Sequence, residues 1–355
     1  MKKKIIMLAV AAGVAASALA GCQNQSPVSA GQEGASITQT ALTEAAAGTV
    51  AAAEETAAVS EEAVEILAAA DLTVIEDGEV PLYQKPNGSF VYTPQATGAK
   101  THAAGDVTLD VSNAAQGYCM VKYTGGVSKI KVQISKGSVV YTYDLNARSS
   151  YETFPFSEGN GTYSVKVFEN VSGTQYSQAF SQDISVSLAN QFTPFLYPNQ
   201  YVNFNGGSAI VQISNQVAAP AADQIGVVNA VYDYVVTNFT YDTAKANSVS
   251  SGYLPNVDQI LNSKTGICFD YAAVMAAMLR AQDIPTKLVV GYTGDVYHAW
   301  INVYIENQGW IDNYIYFDGQ NWSLMDPTFA STGNQSESVK QYIGSGSNYQ
   351  AKYSY

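Results

Sequence analysis

Between Phe269 and Arg280 the chain runs Phe-Asp-Tyr-Ala-Ala-Val-Met-Ala-Ala-Met-Leu-Arg, apolar on nearly every side of a helical wheel. A helix of that kind cannot lie on a surface, so the fold has to surround it. It ends before Pro285 and begins just after Thr265-Gly266-Ile267-Cys268. Upstream, Asp223–Phe239 carries apolar residues at Ile225, Val228, Tyr232, Val235 and Phe239, the stripe of an amphipathic helix. Asn256 followed by Gln259 resembles a capping box opening a short helix over Val257, Ile260 and Leu261. Downstream, strands are expected at Thr286–Tyr292, Tyr297–Ile305 and Trp322–Met325. Helices that precede a run of strands make an α+β domain.

The stretch before it reads differently. From about residue 76 the period is two: Cys119, Val121 and Tyr123 fall on one side, Tyr118, Met120 and Lys122 on the other. Similar short runs occur at Lys129–Ser135, Ser138–Tyr143, Tyr163–Phe168 and Ile184–Leu188, separated by Gly and Asn clusters. The chain's 25 tyrosines suit half-buried strand faces. These features predict an N-terminal β-sandwich, of immunoglobulin-like or other topology. Cys119 reads as a small buried hydrophobe, and His102 as a loop residue without ligand partners.

Lys2, Lys3 and Lys4 precede an apolar run from Ile5 to Ala20. The run is shorter than the roughly 20 residues of a membrane span and has the plan of a secretory signal. It ends in Leu19-Ala20-Gly21-Cys22, which looks like a bacterial lipobox with Cys22 as the acylated residue. The expected result is an exported lipoprotein, held by its lipid at the cell surface or facing the periplasm. Residues 23–75 carry Ala, Ser, Thr, Gly and Gln, and every charge among them is negative. Such a stretch buries too little to order itself and reads as a spacer. The expected plan is signal 1–21, lipidated Cys22 and acidic linker 22–75, sandwich 76–195, second domain 196–335 and a polar C-terminal tail 336–355. A net charge of -13 excludes nucleic acid as partner, because phosphate binding needs clustered Lys and Arg. Two cysteines besides Cys22 give no disulfide framework.

The chemistry gathers around Cys268. At the start of a helix, unsatisfied N–H groups and the helix dipole favour a thiolate, the nucleophilic form. The same N–H groups suit an oxyanion. His298 lies on the second expected strand, sharing a face with Trp300, Asn302 and Tyr304. Asp326 ends the following strand in Met325-Asp326-Pro327-Thr328. A Cys, a His and an Asp so placed form a possible relay of nucleophile, base and orienter. A structural core cysteine and a satisfied core histidine are the plainer alternatives.

Three segments resemble the motif blocks of the transglutaminase-like superfamily: Gly266–Ala272 around Cys268, His298–Val303, and Asp326-Pro327-Thr328. Phe239-Thr240-Tyr241-Asp242 resembles the segment that precedes the nucleophile helix in bacterial members. The likeness spans about residues 222–330 and leaves the sandwich unassigned. It implies a papain-like core in which Cys268 attacks a carboxamide or peptide carbonyl, His298 moves the proton and Asp326 orients the imidazole. The acyl-thioester then passes to water or to an amine. The segment between the His298 strand and Trp322 is longer than the short hairpin usual in the family, so Asp312 and Asp318 rival Asp326. Tyr241 and Trp300 are candidates for the second oxyanion donor. No calcium-loop or nucleotide-loop pattern occurs, and neither a cofactor nor a metal is expected. Expected partners are protein or peptide substrates, cell-wall peptide among them. The competing expectation is a non-catalytic surface protein that binds peptide or cell wall on the same scaffold.

Overall fold

The computed structural model describes residues 82–84, 90–312, 314–317, 322–324 and 349–355. Cys22, the signal, the acidic linker, Asp318 and Asp326 lie outside the described residues.

A small antiparallel pair, β1 (Leu82–Gln84) and β2 (Phe90–Tyr92), precedes the sandwich. The sandwich strands are β3 (Thr101–Ala104), β4 (Val107–Asp110), β5 (Tyr118–Tyr123), β6 (Ile130–Lys136), β7 (Val139–Asp144), β8 (Tyr151–Pro155), β9 (Gly161–Ser172) and β10 (Gln175–Val186). They form two antiparallel sheets of order β3-β4-β5-β8 and β10-β9-β6-β7. The chain crosses between the sheets after β5, returns for β8, and crosses again to β9, which is the connection plan of an immunoglobulin-type sandwich. Alternation sets the faces: Cys119, Val121 and Tyr123 enter the core with Val132, Ile134, Val165 and Val167. The other face of β5 is covered too, because Tyr118 and Met120 pack on Tyr197 of the segment that follows β10.

His102 sits on a strand rather than in a loop. β3 pairs with β4, His102 opposite Leu109, across a turn in which Gly105 takes a φ of 56°. The surrounding Ala and Gly hid the pairing.

The second half contains α1 (Ala209–Ala218), α2 (Gln224–Asn238), β11 (Thr240–Tyr241), α3 (Thr243–Ser248), α4 (Val257–Ser263), β12 (Thr265–Gly266) and α5 (Cys268–Arg280). Then come β13 (Thr286–Thr293), β14 (Val296–Ile305), β15 (Gly309–Asp312), β16 (Tyr314–Phe317), β17 (Trp322–Leu324) and β18 (Tyr349–Ser354). Asp223 caps α2 by accepting from the Gly226 N–H at 2.8 Å, and Asn256 caps α4 through the Gln259 N–H at 3.1 Å. All thirteen residues of α5 are buried, enclosed by α1, α2, α4, β13 and β14. The mixed architecture is α+β.

The main sheet has the antiparallel order β15-β14-β13-β18. Its last member corrects the expected polar tail: residues 349–354 are a strand, and Tyr355 exchanges backbone hydrogen bonds with Leu288 at 2.8 and 3.0 Å. Tyr353 and Tyr355 then carry the sheet into the sandwich. Tyr355 meets Tyr141, Tyr143 and Tyr201 at ring separations of 5.5, 5.9 and 4.4 Å. Tyr201 in turn meets Phe269 of α5 at 5.5 Å. Gln200 adds hydrogen bonds to the Asp144 carbonyl and the Glu152 carboxylate. One continuous apolar cluster therefore runs through sandwich and helical half alike.

Gly291 lies between β14 and β18, opposite His298 and Ala351. A Cβ there would stand 2.0 Å from the Gln350 carbonyl oxygen and 2.9 Å from the Trp300 ring. Gly291→Ala should therefore destabilise the protein by about 1–3 kcal/mol. Denaturant unfolding measures the loss, and amide exchange should place the earliest opening at β18.

Candidate active site

Cys268 is the first residue of α5 and is 4% exposed. What fixes the start of that helix is Asp270, fully buried one turn in. Its Oδ2 accepts the Ile267 N–H at 2.9 Å, which is half of a capping box, since Ile267 has no side-chain acceptor to return. The same oxygen takes Lys245 Nζ at 2.5 Å, and Oδ1 takes the Tyr253 hydroxyl at 2.7 Å. Lys245 also donates to the Tyr253 oxygen at 2.7 Å and lies over that ring, 4.3 Å from its centre. Burial, reinforced by the Asp270 charge, pushes the Tyr253 hydroxyl well above its ordinary range.

Gly266 is not required for a left-handed turn, since its φ is not positive. A Cβ at 266 would come within 2.6 Å of the Asp270 Cβ. The glycine lets the carboxylate fold back over the helix start. Gly266 also pairs with Tyr241 in the parallel β11–β12 ladder, and Asp242 N–H donates to the Gly266 carbonyl at 2.8 Å. Tyr241 is thereby held two residues from Cys268 along the paired strand, half-buried, with its ring 6.5 Å from Tyr271.

His298 lies on β14, 4% exposed. Its ring stacks with Trp300 at 6.2 Å and meets Tyr349 of β18 at 6.2 Å. Trp300 is 3% exposed, and its Nε1–H is buried without a hydrogen-bond partner among the described residues. The helix that begins at Cys268 packs on β13 and β14. Tyr297, the residue before His298, lies near enough to Cys268 to respond to charge there. Burial is the main cause of its raised pKa, with Tyr353, Tyr292 and Cys268 adding to it.

Asp312 is removed from this centre. It pairs with Asn302 across β14–β15 and accepts the Asn302 amide at 2.6 Å. Four strand residues separate Asn302 from His298, roughly 13 Å, so the carboxylate of Asp312 serves Asn302. The other thiol, Cys119, is 1% exposed and has its pKa pushed far up by burial. Cys119 and Cys268 form no disulfide. Among the described residues no group of three or more His, Cys, Asp or Glu is placed to hold a metal ion.

Lys245, Asp270 and Tyr253 escaped sequence reasoning as site residues. One signal was present: Asp270 is the single acid in an apolar helix, three residues after its N-cap. Its partners lie 25 and 17 residues upstream, and no periodicity points to them.

Known proteins resemble this region. Residues 211–327 match the family model of the transglutaminase-like superfamily. The uncharacterized protein YebA of Bacillus subtilis (strain 168) is 34% identical over 104 residues, 24% of this chain and 14% of that protein. A protein-glutamine gamma-glutamyltransferase of Pseudomonas aeruginosa is 32% identical over 68 residues, 15% of this chain and 10% of its own length. Among solved structures, the periplasmic domain of TgpA from Pseudomonas aeruginosa aligns with 16% identity and a TM-score of 0.31, covering 68% of this chain and 78% of that one. The chain spans less than half the length of the curated relatives it matches. Its motif blocks and its buried cysteine helix on an antiparallel sheet agree with that match: the chain carries a transglutaminase-like domain at residues 211–327.

Proposed function

We propose that this protein is a cell-surface thiol enzyme acting on carboxamide or peptide bonds through Cys268, His298 and Asp326. The observation that carries the reading is the placement of Cys268 at the first turn of a fully buried helix packed on the His298 strand. In that position the thiolate is favoured by the helix dipole. It attacks the substrate carbonyl carbon, and the electron pair moves onto the oxygen, where first-turn N–H groups meet it. Trp300 is the better candidate for a further donor than Tyr241, since its buried Nε1–H has no partner among the described residues. Collapse of the tetrahedral intermediate expels ammonia or an amine, which takes a proton from the His298 imidazolium and leaves an acyl-thioester. Water or a second amine then attacks, His298 accepts its proton, and the Cys268 thiolate is released. Asp326, in its Asp-Pro-Thr setting, holds the imidazole in the working tautomer.

Protein glutamines, peptide bonds and cell-wall peptides are the substrates this chemistry serves. Acylation of Cys22 would hold the enzyme on the outer side of its membrane, with residues 23–75 as tether. Among the described residues no helix is long and apolar enough to cross a membrane.

The test is to incubate the protein with glutamine-containing peptides and cell-wall stem peptides. Intact-mass spectrometry should find an acyl adduct on Cys268, with release of ammonia or amine, and Cys268→Ala should abolish both. Asp326→Asn should slow release about tenfold or more, and Asp312→Asn should change it by less than about twofold, as its carboxylate serves Asn302. No adduct and no release across the panel would favour a non-catalytic peptide- or wall-binding protein.

A further inference from the structure

We propose that the Lys245–Asp270 ion pair, a partly exposed lysine on a buried carboxylate, is a charge-balancing and positioning device for Cys268, setting how readily its thiolate forms. The inference rests on the reading of Cys268 as a nucleophile. An acid in the first turn of a helix is favoured by the dipole, and Asp270 uses that position to tie down the Ile267 N–H. A thiolate at Cys268 draws on the same positive helix end, and a bare carboxylate two residues away would oppose it. Lys245 removes the conflict. Its ammonium, 2.5 Å from Oδ2, cancels the Asp270 charge while leaving the carboxylate's hydrogen bonds intact.

The pair is built for that purpose. Asp270 is fully buried, and both of its oxygens are engaged, by Ile267, Lys245 and Tyr253. Lys245 comes from a separate helix whose start is itself capped, Asp242 Oδ1 accepting the Lys245 N–H at 2.8 Å. Among the described residues the other titratable groups near the helix start are Asp242, whose N–H donates to the Gly266 carbonyl, Tyr253 behind Asp270, and Tyr297 and His298 on β14. Burial holds both tyrosines in their neutral form at ordinary pH. Lys245 and Asp270 therefore cancel as a pair, while the Asp242 carboxylate is engaged in the cap of its own helix.

The experiment follows alkylation of Cys268 against pH in the full chain, by peptide mass spectrometry, for wild type, Lys245→Met and Asp270→Asn. Removing the lysine leaves an anion, so the midpoint should rise by about one pH unit. Removing the carboxylate leaves a cation, so it should fall by a similar amount. A purely structural role would loosen the helix start in both variants and move both midpoints the same way. Shifts in one direction, or none, would overturn the proposal. Circular dichroism checks folding, and if one variant is unfolded, the sign of the other's shift decides alone. A wild-type Cys268 that titrates as an ordinary thiol, with or without His298, defeats the nucleophile reading itself. A wild type that depends on His298 while the two variants shift together defeats the ion-pair proposal alone.

Discussion

Raising the pH from 10 to 11 should unfold this protein cooperatively. Tyr118, Tyr141, Tyr143, Tyr297 and Tyr355 are each less than a tenth exposed, and burial is the leading cause that raises the pKa of every one. Tyr118 is pushed up to about 12, and Tyr143 and Tyr355 are held well above their ordinary value. The folded chain thus binds more protons than the unfolded chain above pH 10. Stability that is fully present below that pH is lost as pH climbs toward the folded values. One unit above the ordinary tyrosine pKa, each such group costs about 1.4 kcal/mol, and five together cost roughly 7 kcal/mol. That matches the whole stability of a typical domain. Arg280 pulls the other way, since burial lowers its pKa to about 9. As a single group it offsets at most about 3 kcal/mol at pH 11, which leaves a net loss of about 4 kcal/mol, close to the stability of a marginal domain. Phenolate absorbance should rise together with loss of circular dichroism. Phenolates that form near pH 10 in a protein that keeps its fold would contradict the prediction.

Replacing Arg280 with alanine should cost about 3–5 kcal/mol. The side chain is fully buried at the end of α5, and among the described residues no Asp or Glu side chain is hydrogen-bonded to it. Its guanidinium donates instead to three backbone carbonyls. Nε and Nη2 reach Thr286 at 3.0 and 2.8 Å, Nη1 reaches Tyr197 at 2.7 Å, and Nη2 reaches Tyr355 at 2.6 Å. These acceptors belong to the sheet, to the segment leaving the sandwich and to the chain end, so one residue fastens three parts of the fold to the central helix. Truncation removes four charge-assisted hydrogen bonds at about 1–3 kcal/mol each, although the Tyr355 oxygen keeps the Leu288 N–H, and the loss is partly offset by no longer burying a charge. Arg280→Lys should fall between, because an ammonium cannot reproduce the planar fork. Denaturant unfolding decides the matter, and a loss under about 1 kcal/mol for the alanine variant would contradict it.

Much of this architecture was legible beforehand. The helix at 268–280 announced its burial because every face is apolar, and β13 and β14 appear where alternation and β-branched residues place them. The sandwich followed from period two and its glycine breaks. Other parts had no local signature. Ala209–Ala218 escaped notice although Ile210, Ile213 and Val217 keep helical spacing, because it is short and lies between Pro198 and Pro220. Tyr349–Tyr355 looked polar, and an irregularity between Ala351 and Tyr353 interrupts its alternation, so that Tyr349 meets His298 and Trp300 while Tyr353 and Tyr355 meet Tyr141. The partners of Asp270 and Arg280 are set by folding, with Tyr197 and Tyr355 lying 83 and 75 residues from Arg280. Likewise Asp312 could be separated from His298 only after the β14–β15 register was known.

The central claim is that Cys268 is a nucleophile activated by His298. Its most direct test is the rate of Cys268 alkylation as a function of pH, with buried Cys119 as the internal control and His298→Ala in parallel. The account predicts a Cys268 that stays reactive well below the ordinary thiol pKa of about 8.5, and that loses this reactivity in the variant while Cys119 stays inert. A Cys268 that is unreactive, or that titrates like a free thiol whether or not His298 is present, would contradict it.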